Sequence, residues 1–164
     1  MTTSQSSDLP DPDLRDNDND RAVVETFVAA PPERVFQAIA DRKQALQWGS
    51  TGMFQIIEWD LDPRPGGKWS FVSVEPGKTK RNEHHGEVLE IDPPRLLVYT
   101  WFASWHPDPS VETIVRYELN SVAGGTQLKV THTGLAKLPG IQQSYAQGWI
   151  GLCNAIKKFV EAKS

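Results

Sequence analysis

The chain has 164 residues, a formal net charge of −4 and a hydrophobic content of 38%, which is the size of a single domain. The negative charge is concentrated in residues 1–20, which carry a net −5, so residues 21–164 are nearly neutral at +1. A near-neutral domain lacks the general electrostatic footprint of a nucleic-acid-binding protein. No run of apolar residues is long enough to cross a membrane, and the N-terminus lacks the basic start and apolar core of a secretory signal.

The first twenty residues differ in character from the rest. Their only large apolar side chains are Met1, Leu9 and Leu14, which cannot offset the entropy lost on ordering. We therefore predict a disordered acidic tail over 1–20 and one domain over 21–164, with an acidic docking arm as the alternative for the tail.

The first part of the domain is predicted to be a strand followed by two short helices. Residues 21–28 alternate between apolar and polar, as a half-buried strand does. Two prolines then suit the first turn of a helix over 32–40. A second helix is expected over 41–47, with Asp41 as its N-cap.

Six further strands and a long helix are expected after residue 50. Proline- and glycine-rich turns separate the strands, which are predicted at 54–59, 68–74, 80–91, 96–102, 111–119 and 126–133. Because short loops join consecutive strands, the sheet should be antiparallel. The last segment, 139–162, has large apolar residues at spacings of three and four, which predicts an amphipathic helix: Ile141, Tyr145, Trp149, Leu152, Ile156 and Phe159. Gly148 and Gly151 weaken this helix and could bring it close to the sheet.

This order of elements is that of a helix-grip fold of the α+β class, in which a curved antiparallel sheet wraps around a long C-terminal helix. Five stretches carry a more specific resemblance: APPERVFQAIAD (30–41), PGGKWSFV (65–72), GEVLEIDPPRLLVYTW (86–101), GGTQLKVTHTGL (124–135) and GWIGLCNAIKKFVE (148–161). The chain resembles the START/polyketide-cyclase/Bet v 1-like (SRPBCC) superfamily. Within it, the chain is most similar to the bacterial branch related to the C-terminal domain of the activator of the 90-kDa heat-shock-protein ATPase. The resemblance implies a ligand cavity between sheet and helix.

Residues aimed at that space are unusually aromatic. The predicted cavity lining is Trp69, Phe71, Tyr99, Trp101, Tyr117, His132, Tyr145, Trp149 and Leu152. Aromatic walls with a few polar tips suit an apolar or aromatic small molecule. The alternative is that the rings only fill the core.

Histidines are the main candidates for chemistry. His132 points inward with Leu128 and Val130, where it could orient a ligand, act as an acid or base, or bond a helix side chain. The structural role is favoured because no carboxylate partner is evident. His84 and His85 are adjacent on a strand and face opposite sides, so they cannot readily share one metal ion. His84 is either a second inward polar group or a partly exposed strand residue.

The remaining candidates carry weaker signals. Glu58 and Asp60 lie near a strand end, where Arg64 could neutralise them, and a solvated turn is expected. Cys153 is the only cysteine, which excludes an intramolecular disulfide, is typical of a reducing cytoplasm and predicts an inert packing thiol. No cofactor and no metal ion are expected.

Three functions stay open at this point. The first is a cytoplasmic module, monomeric or homodimeric, that binds a hydrophobic small molecule. The second is a cyclase- or dehydratase-like enzyme using His132, His84 or a cavity tyrosine as acid or base. The third, implied by the closer resemblance, is a stress-related partner of a chaperone ATPase.

Overall fold

The computed structural model describes residues 18–50 and 55–162. The first elements are a strand and two short helices: β1 (Arg21–Val28), α1 (Pro32–Ala40) and α2 (Arg42–Trp48). Six strands follow: β2 (Gln55–Leu61), β3 (Lys68–Val74), β4 (Asn82–Asp92), β5 (Leu96–Ala103), β6 (Thr113–Val122) and β7 (Gly125–Thr133). A 3-10 turn (Leu135–Lys137) then leads into α3 (Gln142–Ala162).

The seven strands form one curled antiparallel sheet in the order β1-β7-β6-β5-β4-β3-β2. Helix α3 lies against the sheet and contacts β1, α1 and α2. The predicted α+β helix-grip fold is therefore confirmed, and the space between α3 and the sheet holds the core. Within the described part of the chain, no helix is both long and apolar enough to cross a bilayer.

Side chains of α3 satisfy the backbone at the free edge of β1. Gln142 Nε2 donates to the Arg21 carbonyl at 2.7 Å, and Lys157 Nζ donates to the Phe27 carbonyl at 2.6 Å. The amide of Ala29, just after the strand, donates to Glu161 Oε2 at 2.9 Å. An unpaired strand edge would otherwise be open to pairing with another chain, so these bonds both protect the edge and fix α3 along it.

The phase of α3 differs from the prediction in its second half. Its buried face is formed by Tyr145, Ala146, Trp149, Cys153, Ile156 and Val160. Leu152 and Phe159, which were expected on that face, are half-buried beside it. Both sets fit a 3.6-residue period, and the structure selects the one that includes the small Cys153. Gly148 and Gly151 are exposed with no atom within 4 Å of an added Cβ, so they do not mediate a close approach to the sheet.

The strand expected over 111–119 is shifted at both ends, which lie at loops. It begins at Thr113, because Ser110 and Asp108 form a side-chain-stabilised turn just before it, with Ser110 N 3.0 Å from Asp108 Oδ1. It continues to Val122, where Gly124 makes the hairpin turn with a positive φ of 83°.

Asp20, which was assigned to the acidic tail, packs on the domain, and Asp18 bonds the first residue of β1. Asp20 accepts hydrogen bonds from the Leu135 amide through its carbonyl (3.0 Å) and from the Ala136 amide through Oδ1 (3.2 Å). Asp18 Oδ1 accepts from the Arg21 amide at 3.0 Å. The structured part of the chain therefore includes residues 18–20, while the rest of the predicted tail, 1–17, lies outside the described residues.

Candidate ligand-binding site

Aromatic and imidazole rings from five strands, one loop and α3 meet between the sheet and the helix. We call them the ring cluster; its members are Trp69, Phe71, His84, Tyr99, Trp101, Trp105, His106, Tyr117, His132, Tyr145 and Trp149. Each strand contributes its inward residues, as the alternation predicted. Eight of the nine predicted lining residues belong to the cluster. Leu152 does not, because its side chain lies at the flank of α3.

Trp101 lies at the centre of the ring cluster. Its ring centroid is 5.0 Å from that of Trp69 and 5.2 Å from those of His84 and His132. Its indole Nε1 donates to Tyr145 Oη at 2.9 Å, which connects β5 to α3. Buried aromatic pairs of this kind contribute about 0.5–1.5 kcal/mol each beyond their area burial. The ring cluster therefore contributes to the stability of the fold.

His132 has partners on both ring nitrogens. Trp149 Nε1, which can only donate, bonds Nδ1 at 3.1 Å. The ring proton of neutral His132 is therefore on Nε2, which donates to Thr113 Oγ1 at 2.8 Å; Thr113 in turn donates to the Trp101 carbonyl at 3.1 Å. Burial holds the pKa of His132 well below its ordinary value. This geometry favours the structural role, a neutral cross-link between β7 and α3.

His84 and His85 face opposite sides of the sheet, as predicted. His85 is exposed and stacks on Phe102. His84 is 6% exposed and stacks on Phe71 with ring centroids 4.1 Å apart. Its Nε2 accepts from Trp105 Nε1 at 3.0 Å. Burial lowers the pKa of His84 to about 3, although the nearby backbone of Phe71 partly offsets the shift.

His106 is a site residue that the sequence did not reveal. It lies in the loop between β5 and β6, where the sequence predicted only a connection between two strands, yet its side chain is 4% exposed. Its Nε2 is 2.6 Å from Tyr145 Oη, and burial lowers its pKa. The one available signal was the bulky pair Trp105-His106 in an otherwise small and polar loop.

Two buried nitrogens in the ring cluster have no hydrogen-bond partner. Within the residues that the structure describes, these are Nδ1 of His84 and Nδ1 of His106. A buried polar group left without a partner costs about 1–3 kcal/mol, and native proteins keep few of them. Both atoms therefore call for an explanation beyond packing.

The buried hydroxyls and thiol of the core are inert at neutral pH. Tyr99 Oη and Tyr117 Oη lie 2.8 Å apart and share a hydrogen bond. Burial raises the pKa of both phenols. Burial also raises the pKa of the Cys153 thiol to about 12, in agreement with the packing role expected for it.

Glu58 and Asp60 are exposed carboxylates with separate partners. Glu58 bonds Arg81 at 2.9 Å, and Asp60 is 4.0 Å from Arg42. Arg64, predicted to neutralise them, pairs instead with Asp62 at 2.8 Å, because both lie in the tight turn after β2. The two carboxylates do not converge on a reaction centre.

An open cleft of about 470 Å³ lies elsewhere on the surface, where the β1–α1 turn meets the β6–β7 hairpin. Its lining is mostly small or proline: Ala29, Ala30, Pro31, Pro32, Arg34, Ser121, Val122, Gly124 and Gly125. It shares no residue with the ring cluster.

Comparison with known proteins agrees with this architecture. Residues 29–161 match the family model described as Activator of Hsp90 ATPase homolog 1-like protein. The chain belongs to this family. No curated protein matches it.

Solved structures share the fold at low sequence identity. Protein CV1439 from Chromobacterium violaceum is 21% identical, with 87% of this chain and 98% of that chain covered and a TM-score of 0.73. Protein Ms6760 from Mycobacterium smegmatis is 22% identical, with 93% and 96% covered and a TM-score of 0.73. An AHSA1-like protein from Aeromonas hydrophila is 19% identical, with 87% and 93% covered and a TM-score of 0.71. At these identities the likeness concerns the fold.

Proposed function

We propose that this protein binds a hydrophobic, planar small molecule at the ring cluster, and that it acts by binding rather than by catalysis. The observation that carries the proposal is the pair of unpartnered buried nitrogens on His84 and His106. A core optimised for stability alone would place apolar side chains at these positions, because an apolar replacement of similar shape avoids the desolvation penalty. Polar groups kept in an aromatic environment at such a penalty are typical of ligand sites.

The loop after β5 is the proposed entrance. Trp105 is half-buried, and its ring lies 5.2 Å from Tyr145 and 4.9 Å from His106. The loop covers the ring cluster through these contacts and through the Trp105–His84 hydrogen bond. Movement of Trp105 would release His84 Nε2 and uncover the rings of Tyr145 and His106 that it contacts. Once the ligand is inside, the indole returns to its bond with His84 Nε2.

The six tryptophans allow a direct test by NMR, since each indole N–H gives its own signal. We expect titration with 2-isopropylnaphthalene to shift the indole signals of Trp101, Trp105 and Trp149. The indole of Trp48, which donates to the Ala38 carbonyl at 2.8 Å and packs edge-on against Trp59, is the internal control. If the Trp48 signal moved first in the titration, or if no indole signal moved up to the solubility limit of the probe, the proposed site would be contradicted.

Two other functions have specific support. An acid–base enzyme would use Tyr145 and His106, whose Oη and Nε2 atoms are 2.6 Å apart, rather than His132. Such an enzyme should speed the exchange of the acetyl protons of 2-acetylnaphthalene in D2O and lose this effect in Tyr145→Phe. Under the binding proposal, the exchange stays at the rate seen in buffer.

The family match supports a chaperone partner. That function requires the purified protein to raise the ATPase rate of a 90-kDa heat-shock protein, whereas the binding proposal expects no change.

A further inference from the structure

We infer that the ligand carries a neutral carbonyl oxygen, which accepts hydrogen bonds from Nδ1 of His84 and Nδ1 of His106. The inference rests on the proposed function and specifies the class of ligand. It follows from where the protons of the two rings must lie.

The proton of His84 is fixed by Trp105. An indole nitrogen donates and never accepts, so the bond from Trp105 Nε1 to His84 Nε2, 3.0 Å long, requires a lone pair on Nε2. A neutral imidazole carries one ring proton, which must then be on Nδ1. The unpartnered atom of His84 is therefore an N–H donor.

The proton of His106 is fixed by a two-step chain. Trp101 Nε1 donates to Tyr145 Oη at 2.9 Å, so the hydroxyl accepts there and has its own proton to donate. The acceptor within reach is His106 Nε2, at 2.6 Å. His106 consequently holds its ring proton on Nδ1, and its unpartnered atom is a second N–H donor.

The chemistry of the surroundings selects the acceptor. The buried polar side chains described for this chain are serine, threonine and histidine, with no lysine or arginine among them, so a buried carboxylate would lack a counter-charge. A ligand hydroxyl donor or a metal ion would need a lone pair at Nδ1, which the tautomers do not offer. A carbonyl oxygen accepts two N–H bonds and stays neutral.

Both histidines contact the same indole, which places the two imidazole rings in one region. Ring centroids of His84 and Trp105 are 6.5 Å apart, and those of His106 and Trp105 are 4.9 Å apart. A planar molecule that entered past Trp105, with the indole still bonded to His84 Nε2, would lie against the two imidazoles. Its apolar body would contact Tyr145, which Trp105 also contacts.

A matched pair of probes separates the carbonyl from the apolar body. We expect 2-acetylnaphthalene to bind about tenfold more tightly than 2-isopropylnaphthalene, which has the same shape without the oxygen. His84→Phe and His106→Phe should each reduce this preference several-fold while leaving the affinity for the hydrocarbon within about twofold. His85→Phe, the same change on the exposed face, should leave both affinities unchanged.

The outcomes distinguish the two proposals. If neither probe binds, both the proposed function and the carbonyl site fail. Equal binding of the two probes leaves the proposed function standing and overturns the carbonyl site, as does a preference that survives both histidine changes. If only one of the two histidine variants loses the preference for 2-acetylnaphthalene, the carbonyl oxygen is not shared by both histidines. Independently of any variant, nitrogen-15 NMR of the ligand-free protein should show the Nδ1–H tautomer for His84 and His106, and an Nε2–H tautomer at either ring would contradict the inference.

Discussion

Replacing Gly86 by alanine is expected to lower the free energy of unfolding by about 2–4 kcal/mol. Gly86 lies on β4 opposite Trp69 on β3. The Trp69 indole crosses over it to donate to the Thr100 carbonyl on β5, with Nε1 2.7 Å from the oxygen. A Cβ at Gly86 would overlap that carbonyl oxygen and would lie 2.5 Å from the indole nitrogen. The indole would have to leave its position, which breaks the hydrogen bond and disturbs its stack on Tyr99.

The same substitution on α3 is a matched control with the opposite sign. Gly148 is exposed, and no atom lies within 4 Å of an added Cβ. Gly148→Ala should therefore stabilise the protein by about 0.5–1 kcal/mol through helix propensity alone. Urea unfolding followed by circular dichroism measures both variants. A Gly86→Ala variant as stable as the wild type would show that the indole does not depend on the missing side chain.

The sequence predicted the sheet side of the site better than the helix and loop sides. Alternation along a strand has a period of two, so each side chain lies on one face or the other. This rule assigned four aromatic residues to the inner face: Trp69, Phe71, Tyr99 and Trp101. A helix has a period of 3.6, and both Leu152 and Cys153 fit the buried stripe to within one residue. The choice between them depends on packing against elements distant in the chain, and the structure buries Cys153.

His106 could not have been predicted by periodicity because it lies in a loop. Its side chain is buried through contacts with Trp105 and with Tyr145 on α3. The boundary of the acidic tail could not be predicted either, because the composition of residues 1–20 does not distinguish Asp20 from the preceding aspartates. Its hydrogen bonds to the 3-10 turn come from residues far along the chain.

The protein should lose stability steeply as the pH falls below about 6.5, the ordinary pKa of histidine. Burial lowers the pKa of His84 to about 3 and lowers the pKa values of His106 and His132. Between these values and about 6.5, the unfolded chain binds protons that the folded chain does not. The free energy of unfolding therefore falls with decreasing pH, by up to about 1.4 kcal/mol per pH unit for each histidine that stays neutral.

Urea unfolding between pH 7.5 and 5.5 tests this dependence, because carboxyl groups titrate mainly at lower pH. His84→Phe keeps a ring stacked on Phe71 and removes one proton site, so its slope of stability against pH should be smaller by up to about 1.4 kcal/mol per pH unit. Trp105→Phe is the matched control. It removes the hydrogen bond to His84 Nε2 but keeps all the histidines, so it should lower stability at every pH while changing the slope much less than His84→Phe does. A stability that stays constant down to pH 5.5 would mean that the buried histidines take up protons in the folded state. The donor assignments at Nδ1 of His84 and His106 hold only while both rings are neutral, so the same result would also remove the basis for the carbonyl site.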